Sequence, residues 1–139
     1  MVKVNYTLLP DPSGYITFDD IFAIALAKTK SNKFVADSDK WQRVLYDVHQ
    51  KYQDKIPELT SIFFNESRTA LSPQTDAFYE LLNILSASKL ISLPNPSYEY
   101  IVMDAEQKER VINLENYVLI RYKEHITEIA DMLERALSE

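Results

Sequence analysis

The chain contains no cysteine and a single glycine among its 139 residues. Without cysteine there is no disulfide framework, no thiolate metal site and no cysteine nucleophile, and the expected compartment is a reducing one, the cytoplasm. Average glycine usage of about 7% would place roughly ten in a chain of this length. With Gly14 alone, no glycine-rich phosphate loop, dinucleotide fingerprint or nucleophile elbow can be built, because each needs glycine where backbone approaches a ligand or takes positive φ. Long apolar runs are missing too: no segment approaches the ~18 residues of a membrane span. Lys3, Asn5 and Tyr6 interrupt the first ten residues, so neither a signal peptide nor membrane attachment is expected.

What is present suffices for a core. Apolar residues make up 46% of the chain and aromatics 12%, which predicts one domain over residues 1–139. The net charge of −6 is unevenly placed. Residues 1–70 carry nine Lys/Arg and nine Asp/Glu, whereas residues 71–139 carry six and twelve, so the second half holds the whole excess.

Periodicity predicts mostly helices. Val2, Val4, Tyr6 and Leu8 alternate with polar residues as in a strand, and residues 11–14 (Asp-Pro-Ser-Gly) form a turn. Thr17 caps a helix with Asp19 and Asp20 in its first turn and apolar residues from Phe18 to Leu26 on nearly every side, which predicts a central helix. Lys28, Lys30 and Lys33 follow at its C-terminal end, where helix electrostatics favours cations ahead of any nucleic-acid role. Asp37 or Ser38 opens a second helix with the stripe Trp41, Val44, Leu45, Val48 and Tyr52. Pro57 begins a short helix with Leu59, Ile62 and Phe63 inward, followed by a loop to Leu71.

Ser72 as N-cap and Pro73 at the first helical position start a third helix, with Phe78, Leu81, Leu82 and Leu85 as its inner stripe. Residues 90–93 and 98–103 then read as a β-hairpin around the Pro94–Ser97 loop. Asp104 and Gln107 form a capping box for a helical pattern over 105–137. Those 33 residues would span ~50 Å, against ~30 Å for a 20-residue helix crossing a small domain. Either the helix breaks near Asn113–Asn116 or it projects onto a partner. Tyr117 and Ile120 lie opposite its main stripe, Val118, Tyr122, Ile126, Ile129, Leu133 and Leu137. That placement fits a homodimer through this helix, or cover by other parts of the same chain.

Chemistry-bearing motifs are few. His49 and His125 lie beside apolar stripes in different helices and fit packed imidazoles, not metal ligands. Glu124, Glu128 and Asp131 share a face that reads as solvated. No serine stands in a nucleophile motif, so no catalytic, cofactor-binding or metal residue is expected.

The stretch Ser72–Met103, a helix patterned F-Y-E-L-L-N-I-L, the turn K-L-I and the strand Y-E-Y-I-V-M, resembles the end of a winged-helix domain. With the preceding helices the likeness extends over residues 17–103. Together with the helical pattern over 105–137, the resemblance makes the expected fold mainly α (α+β), with a winged-helix-like core, a small β-hairpin and a long C-terminal helix. It also implies an outward face on the third helix at Gln74, Thr75, Tyr79, Asn83 and Ser86, with Pro94–Ser97 at the wing tip. Its DNA-binding members put this helix into the major groove. Between Ala70 and Asp104, however, Lys89 stands alone against Asp76, Glu80, Glu99 and Asp104, and DNA affinity needs phosphate neutralisation. The expected function is therefore a non-catalytic protein-interaction or regulatory module, with a DNA-binding regulator as the alternative. Its surface comprises Gln74, Thr75, Tyr79, Asn83, Tyr98, Tyr100, Tyr117 and Ile120, since tyrosine is enriched at interfaces. Core burial is the competing reading for Tyr98 or Tyr100, because one face of the hairpin must be apolar.

Overall fold

A computed structural model describes residues 16–65, 73–93 and 99–138. The expected N-terminal strand and its turn, Ser72, Tyr98 and the Pro94–Ser97 wing tip lie outside those residues. The fold is mainly α with a small β part. In chain order the elements are α1 (Phe18–Ala27), β1 (Lys33–Val35), α2 (Ser38–Tyr52), a 3-10 turn (Pro57–Ser61), α3 (Ala77–Ala87), β2 (Tyr100–Val102), α4 (Ala105–Leu114) and α5 (Asn116–Leu137).

Helix α1 is central, as its all-round apolar pattern predicts: every residue from Asp19 to Ala27 is buried. It packs against α3, α4, α5 and the 3-10 turn. Helix α2 is amphipathic and buries Trp41, Val44, Leu45, Val48 and Tyr52. Asp37 caps it, accepting from the Asp39 amide at 2.9 Å and the Lys40 amide at 3.4 Å. Trp41 joins three elements: its indole N–H donates to the Val35 carbonyl of β1 at 2.8 Å, and its ring stacks on Phe78 of α3 with centroids 5.4 Å apart.

The expected small antiparallel β part is present, but the main partner of β2 differs from the expected one. Strand β2 pairs antiparallel with β1, in the register Lys33 to Val102, Phe34 to Ile101 and Val35 to Tyr100. The expected first hairpin strand contributes one bridge, Ser92 to Val102. Lys33, read as part of a helix-capping cluster, is therefore a strand residue. Phe34 and Ile101 bury one side of this ribbon, and that long-range burial outweighs the local turn in choosing β2's partner.

Two further expectations change. Phe63 points outward, 79% exposed, because the 3-10 turn ends at Ser61 and its buried positions are Leu59 and the following Ile62. Helix α3 starts at Ala77 and not at Pro73. Gln74 is held in a bridge to Asn65, with both backbone hydrogen bonds at 2.7 Å, which keeps that part of the chain out of the helix.

The capping box of Asp104 and Gln107 forms as expected. The helical pattern after it breaks at Glu115, dividing α4 from α5, and a second irregularity occurs at Tyr122, where φ is −128° and ψ 30°. Below the break, Lys108 is buried against the loop that follows α1. Its ammonium donates to the carbonyls of Thr29 (2.7 Å) and Ser31 (2.5 Å) and to the Thr29 hydroxyl (3.3 Å). From α5, Glu134 Oε1 accepts the amides of Lys30 at 2.7 Å and Ser31 at 2.9 Å. Replacing Lys108 by Met keeps the volume and removes the ammonium's hydrogen bonds to both carbonyls, leaving the Thr29 hydroxyl as the side-chain donor to Ser31. We expect it to cost about 2–4 kcal/mol, read in urea unfolding as a lower midpoint at unchanged slope.

Candidate functional site

The outer face of α3 presents Tyr79, Glu80, Asn83 and Ser86 to solvent. Tyr79 is 53% exposed, its ring lies 5.1 Å from Phe78, and its hydroxyl is 3.5 Å from the Ser38 hydroxyl at the start of α2. Gln74 is half-buried beside this face. Thr75, expected outward, is buried. Its amide donates to Gln42 Oε1 at 2.8 Å, and its carbonyl accepts from Gln42 Nε2 at 3.0 Å. Gln42 is itself buried on α2, next to the Trp41 stripe, so one amide satisfies both backbone groups of the segment that leads into α3.

The other expected residues scatter. Tyr100 lies half-buried in β2 with the Lys33 ammonium 3.8 Å from its ring centroid. Ile120 is 78% exposed on α5. Tyr117 is half-buried, its hydroxyl enclosed beside Glu115 and Asp20. The expected pair on α5 is thus reduced to Ile120, because the break at Glu115 turns Tyr117 towards the acids of α1. His49 and His125 are packed, their rings 5.1 Å from Phe64 and 5.7 Å from Tyr52. Burial pushes the His49 pKa down.

A second feature adjoins α3 and escapes the sequence. A cleft of about 640 Å³ opens between the N-terminal end of α1, the 3-10 turn, Glu80 of α3 and Arg121 of α5. Asp19 lines it, only 5% exposed, and its Oδ1 has no hydrogen-bond partner. Behind it lie Asp20 and the fully buried Glu115, grouped with the Tyr117 hydroxyl. Asp20 caps α1 by accepting the Thr17 amide at 2.8 Å. Across the cleft, Glu58 accepts the Tyr122 hydroxyl at 2.6 Å and pairs with Arg121 at 3.5 Å.

Burial dominates the electrostatics here. It pushes the Asp19 carboxyl up to about 8, helped by Glu80 and Asp20, and the Glu115 carboxyl up to about 8, helped by Asp20. The Tyr117 phenol is pushed far above its ordinary range by burial and by the same acids. Among the described residues no group of three His, Cys, Asp or Glu side chains is placed to hold a metal ion.

The signal for this cluster was present in the spacing. Continued towards the N-terminus, the α5 stripe from Val118 meets Glu115, Val111 and Lys108, all buried, so two charged residues occupy the inward face of a helical repeat. An all-round apolar α1 likewise implies that its first-turn acids are enclosed. Neither set was singled out from the sequence, because charged residues are seldom buried.

Both raised carboxyls give the same sign. The unfolded chain releases these protons near the ordinary values of 3.8 and 4.5, and the folded chain near 8, so stability falls as pH rises through that window and levels off above it. Glu115→Gln should flatten this dependence and raise Tm at neutral pH, at roughly 4 °C for each kcal/mol recovered. Calorimetry from about pH 4 to 9 tests both. Comparison with known proteins returns no match to a family model, a curated protein or a solved structure.

Proposed function

We propose that this chain is a non-catalytic protein-interaction or regulatory module on a winged-helix-like fold, and that a protein partner meets the outer face of α3. The observation that carries the reading is Tyr79. It is a large aromatic side chain held half out of the surface by Phe78 and flanked by Glu80 and Asn83. Tyrosine so placed offers apolar area and a hydroxyl at low conformational cost. The winged-helix likeness is supported by the succession α1, α2, α3 followed by the antiparallel contact of Ser92 with Val102.

Charge disfavours the DNA-binding alternative. Lys28 and Lys30 line a hollow with Thr127, Asp131 and Glu134 at the C-terminal end of α1, whereas α3 approaches the N-terminal end through Glu80. Lys33 lies over Tyr100 on the ribbon. Of Lys28, Lys30, Lys33, Lys40 and Arg43, only Lys40 and Arg43 lie exposed on α2, whose first turn meets Tyr79, and counterion release needs several cations together on one surface. Homodimerisation through α5 rests on Ile120 alone, and single exposed apolar residues are common on monomers.

A photo-crosslinking amino acid at position 83, compared with one at position 106, tests the reading in cells. A discrete protein adduct at 83 that disappears with Tyr79→Ala is expected. Retention of the purified chain on mixed duplex DNA at low salt, lost on adding salt, would overturn it in favour of DNA binding.

A further inference from the structure

Asp19 lines the cleft beside α3, and one oxygen of its buried carboxyl has no hydrogen-bond partner. Asp19 makes no hydrogen bond through Oδ1 and is all but enclosed, and an ionisable group in that state costs stability unless something pairs with it. Glu80 sits close enough to raise the electrostatic cost of ionising Asp19, and Glu58 stands on the opposite wall. Arg121 also lines the cleft, but its guanidinium is engaged with Glu58 and relieves neither Asp19 nor Glu80.

Shape adds a second constraint. Ile16, Phe18 and Pro57 give the cleft apolar walls beside these carboxyls, the lining that suits an aliphatic stem ending in a charge. At Phe18, Ser61 and Glu80 the cleft is continuous with a groove of about 200 Å³ bordered by Ile62, Phe63 and Asp76. Phe63 stands 79% exposed at its edge. Among the described residues lining the two hollows, Asp19, Glu58, Asp76 and Glu80 face a single cation, Arg121.

We propose that this acidic cleft receives an arginine or lysine side chain from an extended segment of a partner protein, its charge paired with Asp19 and Glu80 and an apolar neighbour resting on Phe63. The occupant must be cationic to pair with Asp19, long-stemmed to use the apolar walls, and part of a peptide to reach Phe63. The proposal rests on the protein-interaction reading and assigns the chemistry of its partner. Glu80 belongs both to the outer face of α3 and to the cleft, so one partner can cover both.

Two blocked pentapeptides, Ala-Leu-Arg-Leu-Ala and Ala-Leu-Glu-Leu-Ala, titrated into the full chain and followed by NMR, provide the test. The arginine peptide should bind at least about tenfold more tightly than the glutamate peptide, shifting the amides of Thr17, Asp19, Ser61 and Glu80. Asp19→Asn and Glu80→Gln, which remove charge without changing shape, should each weaken it about tenfold as a charge-assisted bond is lost. Glu106→Gln, at the start of α4 near the opposite end of α1, should leave it unchanged. Pairing ionises Asp19 against Asp20 and Glu80, so affinity should also rise as pH passes through about 8, where arginine does not titrate.

Equal binding of the two peptides, or full affinity in Asp19→Asn and Glu80→Gln, overturns the assignment. If crosslinks from position 83 persist while the arginine peptide fails, the cleft assignment alone falls. If the peptide binds as described but no protein adduct forms, the fault lies in the wider reading of α3.

Discussion

A helix buried on every side cannot send the unpaired groups at its ends to water, and the rest of this fold is arranged around that constraint on α1. Burial of Ile21, Phe22, Ile24 and Leu26 supplies of the order of 1.5–3 kcal/mol for each side chain. Backbone groups in the chain that leaves α1 must then find partners inside the protein. At the C-terminal end, the Lys108 ammonium and the Glu134 carboxylate hold the Thr29–Ser31 loop through its carbonyls and amides. One residue comes from α4 and the other from α5, so this loop also ties the two C-terminal helices to α1.

The N-terminal end is resolved differently. Negative charge suits a helix N-terminus, and Asp20 uses this by accepting the Thr17 amide. The neighbourhood nevertheless holds more carboxyls than one dipole can stabilise, since Asp19, Asp20 and Glu115 are all buried together. Protonation of Asp19 and Glu115 is the least costly way to keep them there. The two ends of one helix therefore sit in opposite electrostatic settings, cationic near Lys108 and acidic near the cleft.

This polarity bears on recognition. Helix α3 contacts α1 at the acidic end, placing Glu80 between the cleft and the Tyr79 face. A duplex would be repelled there, whereas a basic polypeptide would be attracted, because complementary charge steers encounter and discriminates among partners. The Gln42 amide adds definition by fixing the backbone at Thr75, so the approach to α3 is held in place before any partner arrives.

Much of the secondary structure was legible because it depends on local periodicity. The buried α1, the stripe of α2 and the Asp104–Gln107 capping box follow from side-chain spacing and cap chemistry, a break near Asn113–Asn116 was one of two readings the sequence left open, and the glycine and cysteine absences exclude whole classes of chemistry. Other features needed contacts between distant parts of the chain. β2 takes β1 as its main partner and keeps a single bridge back to Ser92, α3 begins at Ala77 because residues 74 and 75 are held by Asn65 and Gln42, and Phe63 turns out to solvent. The burial of Asp19, Glu115 and Lys108 shows only once the helices are packed. Sequence by itself determined which helices form and which faces are apolar, since those preferences act over a few residues. Only the tertiary structure decided which charged groups those faces enclose, since burial is set by what packs against a helix from far along the chain.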